Sequence, residues 1–164
     1  MTPRSIAKSW VMVGMIFGLA CSAHARLGET VAQIEARYGP PDPPRGVPPS
    51  RVPPIENSSR DYHHDGIKIG VRFYNGISGK ESYYRATGES HQLSEKDIET
   101  LLNANSNGKP WTHLRSPSGN NDWTCENGYT AAFSGQDVLV IKDPAKIQAA
   151  QEAKEKNAKP PAGF

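Results

Sequence analysis

The residues best suited to chemistry in this sequence are His63, His64 and Asp65, which follow one another along the chain. Imidazole and carboxylate groups are natural ligands of Zn²⁺, and a zinc site needs three or four ligands. Neighbouring side chains on an extended chain point in opposite directions, so His63 and His64 do not easily share one metal ion. The sequence therefore predicts no metal site and no cofactor, and Asp65 with Gly66 is typical of a turn.

A second pair, Cys125 and His113, has the residue types of a nucleophile and its general base. No local signature accompanies either residue, and the chain contains none of the motifs H-E-x-x-H, G-x-S-x-G or G-x-x-x-x-G-K-S/T. No Lys, Arg or His stands beside Cys125 to activate its thiol, so we expect a small, half-buried apolar residue of a strand. No catalytic residue is predicted. A small metal-dependent or thiol hydrolase that uses His63, His64, His113 or Cys125 is the alternative hypothesis.

Residues 1–25 have the pattern of a secretory signal peptide. Arg4 and Lys8 form a positive start without any acidic residue, residues 10–20 form an apolar run, and an A-x-A cleavage site ends at Ala25. The apolar run is shorter than the ~20 residues that span a membrane. We expect a periplasmic or secreted protein after cleavage near Ala25. An uncleaved signal anchor is the alternative.

Cys21 offers a different interpretation of the same region. Residues 18–21 resemble a degenerate lipoprotein signal, with Gly18 at the position where Leu is usual. A lipid on Cys21 would anchor the protein to a membrane of the envelope. Cleavage near Ala25 would instead leave Cys125 as a lone cysteine, either free or paired with another chain.

The charge balance argues against nucleic acid as a partner. The full chain carries a formal net charge of +2, and Arg4 and Lys8 account for it, so the remainder is neutral. No run rich in Lys and Arg appears, although such runs are typical of nucleic-acid-binding segments. Membrane contact is expected only if Cys21 is lipidated or the signal peptide stays uncleaved.

A short helix with marked ends follows the leader, within residues 28–41. Thr30 and Gln33 have the spacing of a capping box, and Gly39 with the proline after it ends the helix. A helix this short is unstable alone, so its apolar face must dock on other elements. That face carries Val31, Ile34 and Tyr38.

Residues 39–54 contain eight prolines. Such a segment favours an extended polyproline II conformation, and we predict a semi-rigid spacer. The P-x-x-P pattern at residues 41–44 suits a ligand for an aromatic groove, which is the alternative interpretation.

Residues 67–86 are typical of a β-hairpin. Apolar and polar residues alternate up to Phe73, and an Asn-Gly pair then marks the turn. A two-residue loop sets Phe73 opposite Ser78, whereas a three-residue loop sets Phe73 opposite Ile77. The second register brings Ile77 and Tyr83 to the apolar face of the hairpin, and we predict that register.

A second helix is predicted within residues 93–110. Ser94 is its N-cap and Asp97 the capping-box partner, and an Asn-Gly pair followed by Pro110 ends it. Its buried face carries Ile98, Leu101 and Leu102.

Residues 122–144 are interpreted as three short strands, of which residues 138–141 are the most apolar and therefore central. Trp111 and Trp123 are expected at the boundary between sheet and helix, where an indole N–H can find an acceptor. Asp143 caps a last helix that lies mostly in water, with disorder from about residue 157.

These elements predict an α+β fold in which short helices pack on one face of an antiparallel sheet. Their order is helix, hairpin, helix, three strands, tail helix. We expect a signal peptide at 1–25, a domain at 26–143 with a proline-rich insert at 39–54, and a solvent-exposed helix with a disordered tail at 144–164. A helix followed by antiparallel strands occurs twice, which is compatible with a degenerate duplication.

The hairpin also offers a candidate surface for a protein partner. Tyr74 and Tyr84 are predicted on its polar face, with Arg72 and Arg85 nearby in sequence. Tyr and Arg are enriched among the residues that dominate protein–protein binding. Packing between cross-strand neighbours is the alternative role for these side chains.

The opening helix resembles the helix signature of the SmpA/OmlA (BamE) proteins, which are small bacterial envelope lipoproteins. The chain is also similar to secreted bacterial proteins of unknown function with the same N-terminal motif. The residues that carry the resemblance are Gly28, Thr30, Gln33, Ile34, Tyr38, Gly39 and Pro41. The hairpin at residues 67–83 resembles the one that follows the helix in that family.

The resemblance implies residence in the cell envelope and a non-catalytic binding or scaffolding role. It does not imply service in barrel assembly, because fold similarity does not transfer function. The expected partner is an unidentified protein of the envelope.

Overall fold

The chain forms an α+β structure around one seven-stranded antiparallel sheet with three α-helices, which confirms the predicted fold class. The computed structural model describes residues 26–44, 46, 53–86, 92–115, 121–134 and 137–158. Residues 1–25, which were predicted as a signal peptide and contain Cys21, lie outside the described residues, as do residues 45 and 47–52 of the proline-rich insert and residues 159–164. Within the described part no helix is long and apolar enough to cross a membrane.

The sheet consists of two meanders, each preceded by a helix. The first comprises α1 (Val31–Tyr38), β1 (Ser59–His64), β2 (Ile67–Tyr74) and β3 (Ile77–Arg85). The second comprises α2 (Glu95–Asn105), β4 (Trp111–Arg115), β5 (Asn121–Cys125), β6 (Thr130–Ser134) and β7 (Val138–Lys142), and α3 (Pro144–Ala158) follows it. The spatial order is β1-β2-β3-β7-β6-β5-β4, so the meanders meet where β3 pairs with β7.

The predicted order of elements was wrong because it omitted β1 and β4. These are the two edge strands, and four of the five residues of β4 are exposed. In β1 the buried side chains are Arg60 and Tyr62, so the residue types of this strand show no apolar alternation although its burial alternates. The three strands predicted within residues 122–144 are confirmed as β5, β6 and β7, and β7 is the central strand as predicted.

One face of the sheet, here named the core face, carries the apolar side chains. Its buried members include Tyr62, Ile69, Val71, Tyr83 and Leu139. Helices α1 and α2 pack on this face and add Ile34, Leu101 and Leu102 to the same core. The opposite side of the sheet, here named the outer face, carries the alternate residues of each strand.

The capping pattern predicted for α1 is confirmed. The Thr30 hydroxyl accepts from the Gln33 backbone N–H, and the Gln33 side chain accepts from the Thr30 backbone N–H. Gly39 has a φ of 81° and ends the helix. Ile34 is fully buried, and Tyr38 packs on the rings of Tyr62 and His64. The signature residues therefore fix the ends and the docked face of α1.

The three-residue loop predicted for the hairpin was wrong. Tyr74 pairs with Ile77 across a two-residue Asn-Gly loop, so Phe73 lies opposite Ser78. The ladder then shifts by one residue, and Arg72 lies opposite Lys80. This bulge at Gly79 returns Tyr83 to the core face, which the two-residue loop alone would not do.

The predicted packing of the helices holds for α1 and α2, which share the core face, but not for the last helix, which was expected to lie mostly in water. Helix α3 contacts β2 and β3 on the outer face, where Ile147 and Lys154 line a cleft with Arg72 and Tyr74. Asp143 caps this helix as predicted, by accepting from the Lys146 backbone N–H at 3.0 Å. No residue of α3 is buried, so it is the least anchored helix of the three.

A chain of buried polar groups joins the start of the domain to α2 and the sheet. The Leu27 backbone N–H donates to the Asn105 side chain at 3.0 Å, and the Asn105 amide donates to the Tyr83 hydroxyl at 3.1 Å. The Tyr83 hydroxyl in turn donates to the Glu81 carboxyl. Asn105, Tyr83 and Glu81 are fully buried, and such paired groups favour one specific packing arrangement.

Candidate functional site

The histidines considered for chemistry lie far apart. His63 and His64 belong to β1 and His113 to β4, at opposite edges of the sheet. Six strand spacings separate these edges, which corresponds to roughly 29 Å. His63 contacts the Asp42 carboxylate at 2.9 Å, and the His64 ring packs against Tyr38. Among the described residues, no group of three or more His, Cys, Asp or Glu side chains is placed to hold a metal ion.

Cys125 and His113 do not form a nucleophile–base pair. The Cys125 thiol is buried and free, and it lies within 3.8 Å of the Ser106 and Lys109 carbonyl oxygens. His113 is exposed, bonds to the Asn121 side chain at 3.1 Å and packs against the Trp123 ring. The four residues of the hydrolase hypothesis therefore have no common site.

Glu81 is a buried titratable group that the sequence did not reveal. Burial raises the pKa of its carboxyl to about 8, while the Tyr83 hydrogen bond and the Arg37 charge act in the opposite direction. Shifted carboxyls often mark functional sites. Glu81 has no exposed surface, however, so a dissolved substrate has no access to it and its role is in the core.

The outer face of the hairpin brings together three of the four residues predicted for a partner surface. The Arg72 guanidinium lies 5.8 Å from the centre of the Tyr74 ring. The Lys68 ammonium lies 5.6 Å from the centre of the Tyr84 ring and bonds to Asp61 at 2.7 Å. Both rings are half-buried, so each presents an aromatic surface flanked by a cation.

Arg85 does not belong to this surface. It pairs with Ile67 in the ladder and therefore lies on the core face. There its guanidinium bonds to the Asp97 carboxylate at 2.7 Å. That contact lowers the pKa of Asp97 against the opposing effect of burial. Arg85 thus ties β3 to the N-terminal turn of α2.

A row of three cations crosses the outer face, and we name it the cation row. Lys80 on β3 lies directly opposite Arg72 on β2 and also directly opposite Lys142 on β7. No ion pair joins any of the three to an acidic side chain in the described part of the chain. Like charges placed directly opposite each other destabilise a sheet, so this arrangement does not serve stability.

A hollow of about 430 Å³ lies beside the cation row. Gly70 and Ser82 are directly paired and provide a floor without large side chains. Tyr74 and Tyr84 stand at its two ends along the strands. A Cβ at Gly70 would lie 3.4 Å from the Asp61 carboxylate, so the glycine leaves space that a side chain would occupy.

Comparison with models of known protein families, with curated proteins and with solved structures gives no match. The functional argument therefore rests on the geometry of the chain itself. Sequence reasoning missed Lys80, Lys142 and Gly70 as members of this surface. The bulge at Gly79 sets the register that aligns Lys80 with Arg72, and alternation counted through the turn does not give that register. Lys142 joins the row only through the pairing of β3 with β7.

Proposed function

We propose that this chain is a non-catalytic protein-binding module of the cell envelope that holds an acidic segment of a partner protein on its outer face. The observation that carries this proposal is the cation row of Arg72, Lys80 and Lys142. Three adjacent cations that form no ion pair with the described acidic residues repel one another, and a bound carboxylate-rich segment would remove that repulsion. Their field would also accelerate encounter with an acidic partner.

The tyrosines favour a protein partner over a simple polyanion. Tyr74 and Tyr84 frame a hollow with a small-residue floor, and such a hollow accepts a side chain of the partner. Tyrosine contributes a large contact area with little loss of conformational freedom. We therefore propose a partner segment that carries an apolar or aromatic side chain between acidic ones.

The envelope location rests on the signal-like residues 1–25 and on the resemblance of the opening helix to envelope lipoproteins. In this proposal the protein is periplasmic or secreted, and it is lipid-anchored only if Cys21 carries a lipid. The hydrolase alternative has no convergent set of side chains to support it.

The experiment measures how much partner protein two variants recover from an envelope extract of the source organism. One is a triple variant of the cation row, and the other is a double variant that serves as its control. In the first, Arg72→Gln, Lys80→Gln and Lys142→Gln remove the cation row. In the second, Lys96→Gln and Lys109→Gln remove exposed cations that lie elsewhere on the surface. We expect the first variant to lose the partner and the second to retain it.

Three results would count against the proposal. One is equal recovery of the partner by both variants. Another is a Tyr74→Ala variant that still binds its protein partner and also binds DNA or heparin, since that would show unspecific polyanion binding. A double variant, Arg72→Ala with Tyr74→Ala, that recovers the partner unchanged would equally exclude the proposed surface.

A further inference from the structure

Strand β4 is an edge strand whose outer side is open. It is the last strand of the sheet, and within the described residues it pairs only with β5. Residues 112–115 are exposed, and Leu114 is 43% exposed, the only large apolar side chain among the described residues to be classed as exposed. The other edge is partly protected, because the Asp42 backbone N–H donates to the Asp61 carbonyl of β1 at 2.7 Å. Proteins usually protect such edges because unpaired backbone groups attract other strands.

The hydrogen-bond pattern shows which groups of β4 point outward. The Glu126 backbone N–H donates to the Pro110 carbonyl at 3.4 Å. Bonded and non-bonded pairs alternate in an antiparallel ladder, so Thr112 and Leu114 bond toward β5. The backbone N–H and C=O of His113 are therefore directed away from the sheet, where an added strand would meet them.

A groove runs beside this open edge, between α2 and the core face of β4 and β5. It has a volume of about 650 Å³ and is here named the β4 groove. Trp111, His113 and Trp123 line it from the sheet, and Ile98 and Leu102 line it from the helix. The Trp111 indole N–H donates to the Leu102 carbonyl at 2.7 Å, so helix and sheet are held at a fixed separation.

The charges of the β4 groove have one sign. Glu95 and Glu99 line its helix side, and no Lys or Arg is among the lining residues described. Both carboxylates are exposed, and no ion pair involves either of them within the described chain. They are four residues apart on one helix, a spacing at which like charges destabilise the helix. A cationic side chain in the groove would relieve that repulsion.

We propose that the β4 groove binds an extended, basic and apolar peptide segment of another protein by adding it as an eighth strand. The backbone of the segment pairs with His113 on the open edge of β4. Alternate side chains of an added strand face the same side of the sheet. An apolar side chain of the segment packs on Trp123 and Ile98, and a Lys or Arg contacts Glu95 and Glu99. The next side chain covers Leu114 on the outer face.

This site is distinct from the cation row in position and in charge. The β4 groove lies on the core face at one edge of the sheet and attracts cations, whereas the cation row lies on the outer face and attracts anions. The two proposals can therefore fail independently. The triple Gln variant of the cation row serves as a control for the groove.

The experiment selects peptides from a random peptide display library against the purified protein. The expected peptides alternate apolar residues with Lys or Arg. For a selected peptide, we expect at least about tenfold weaker binding after Glu95→Lys with Glu99→Lys, and a comparable loss after His113→Pro. Proline at His113 removes an outward N–H without removing a bond to β5. Lys96→Glu, on the same helix but outside the groove, is the matched control and should leave binding unchanged.

A second measurement acts on the peptide and so does not depend on the folding of any variant. N-methylation of alternate amides of the selected peptide should abolish binding in one register and spare it in the other. The proposal is overturned if both methylated peptides bind, if the selected peptides lack basic residues, or if no peptide is enriched. It is also overturned if the purified protein forms a dimer that His113→Pro dissociates, because a second copy would then occupy the edge.

Discussion

Arg72 and Lys80 lie directly opposite each other on the outer face, across β2 and β3, and Lys142 extends the same row onto β7. The bulge at Gly79 creates this alignment, because it shifts β3 by one residue relative to β2. An acidic residue at the central position would pair with the cations on both neighbouring strands and would stabilise the sheet, whereas Lys80 does not. The alignment therefore connects a local irregularity of the backbone to the proposed binding surface.

Replacement of the central cation should stabilise the fold and weaken the proposed function. For Lys80→Ser we expect the free energy of unfolding to rise by about 0.5 kcal/mol at low salt, because one of three opposed cations is removed. The gain should shrink as salt screens the charges. Lys68→Ser is the control on the same face. It removes the 2.7 Å ion pair with Asp61 and should lower stability slightly. Urea unfolding at two salt concentrations measures both changes, and a loss of stability in Lys80→Ser would contradict the argument.

A side chain that fills the hollow should abolish binding of the partner without lowering the stability of the fold. Gly70→Val adds a side chain to its floor between Tyr74 and Tyr84. We expect a stability equal to or up to about 1 kcal/mol above that of the original chain, because valine is favoured in strands and glycine is not. Binding of the envelope partner should be lost. Urea unfolding and partner recovery test the two halves, and retained recovery in a folded Gly70→Val protein would exclude the hollow from the binding surface.

Gly79 lies where a side chain would clash with its neighbours, so an alanine at this position should destabilise the fold. A Cβ built at Gly79 lies 2.7 Å from a ring carbon of Tyr74 and 3.1 Å from a side-chain carbon of Lys146. For Gly79→Ala we expect a loss of about 1–3 kcal/mol and a displaced Tyr74 ring. Gly70→Ala, whose Cβ meets nothing closer than 3.4 Å, is the matched control and should be near neutral. Denaturation measures the loss of stability, and the Tyr74 ring signals in NMR spectra report the displacement of the ring. Equal stability of the two variants would refute the steric argument.

The buried Glu81 carboxyl should make stability fall as pH rises. Burial raises its pKa from 4.5 to about 8, and the Glu29 charge adds to that shift, while the Tyr83 hydrogen bond and the Arg37 charge oppose it. The folded state therefore holds a proton that the unfolded chain releases. The stabilising contribution is complete below about pH 4.5 and is lost as pH approaches 8, with a slope of up to about 1.4 kcal/mol per pH unit.

Glu81→Gln should remove this slope, because the amide does not titrate and can still accept from the Tyr83 hydroxyl. The measurement is the free energy of unfolding of both proteins between about pH 5 and pH 8, because this range lies between the pKa of Glu81 in the unfolded chain and that in the folded protein. A slope of equal size in both proteins would assign the pH dependence to other groups.

The sequence carried enough information for the helices and the inner strands. Thr30 with Gln33 and Ser94 with Asp97 specify local hydrogen bonds, and these are confirmed in the structure. The edge strands were missed because the buried pair of β1 is Arg60 and Tyr62 and because β4 is mostly exposed, so neither strand shows apolar alternation. The predicted register of the hairpin was wrong for another reason, since Gly79 is left unpaired and shifts the ladder by one residue. A side chain at this position would clash with the Tyr74 ring, and a single sequence does not show that contact.

The candidate surface was predictable only in part. Arg72, Tyr74 and Tyr84 lie on one strand pair and followed from alternation. Lys142 is 62 positions beyond Lys80 in the sequence, and only the pairing of β3 with β7 brings the two together. The Leu27–Asn105 bond likewise joins segments 78 residues apart. Long-range pairings of this kind have no local signal in a single sequence.

The central claim is that the outer face holds an acidic partner, and site-specific photo-crosslinking tests it most directly. A photoreactive benzoylphenylalanine replaces Tyr84 in the protein produced in the source organism. The replacement is made first in the original chain and then in the triple variant Arg72→Gln, Lys80→Gln and Lys142→Gln. The account predicts one discrete adduct with an acidic envelope protein in the first case and none in the second. No adduct from Tyr84, or an adduct that persists without the cation row, would contradict it.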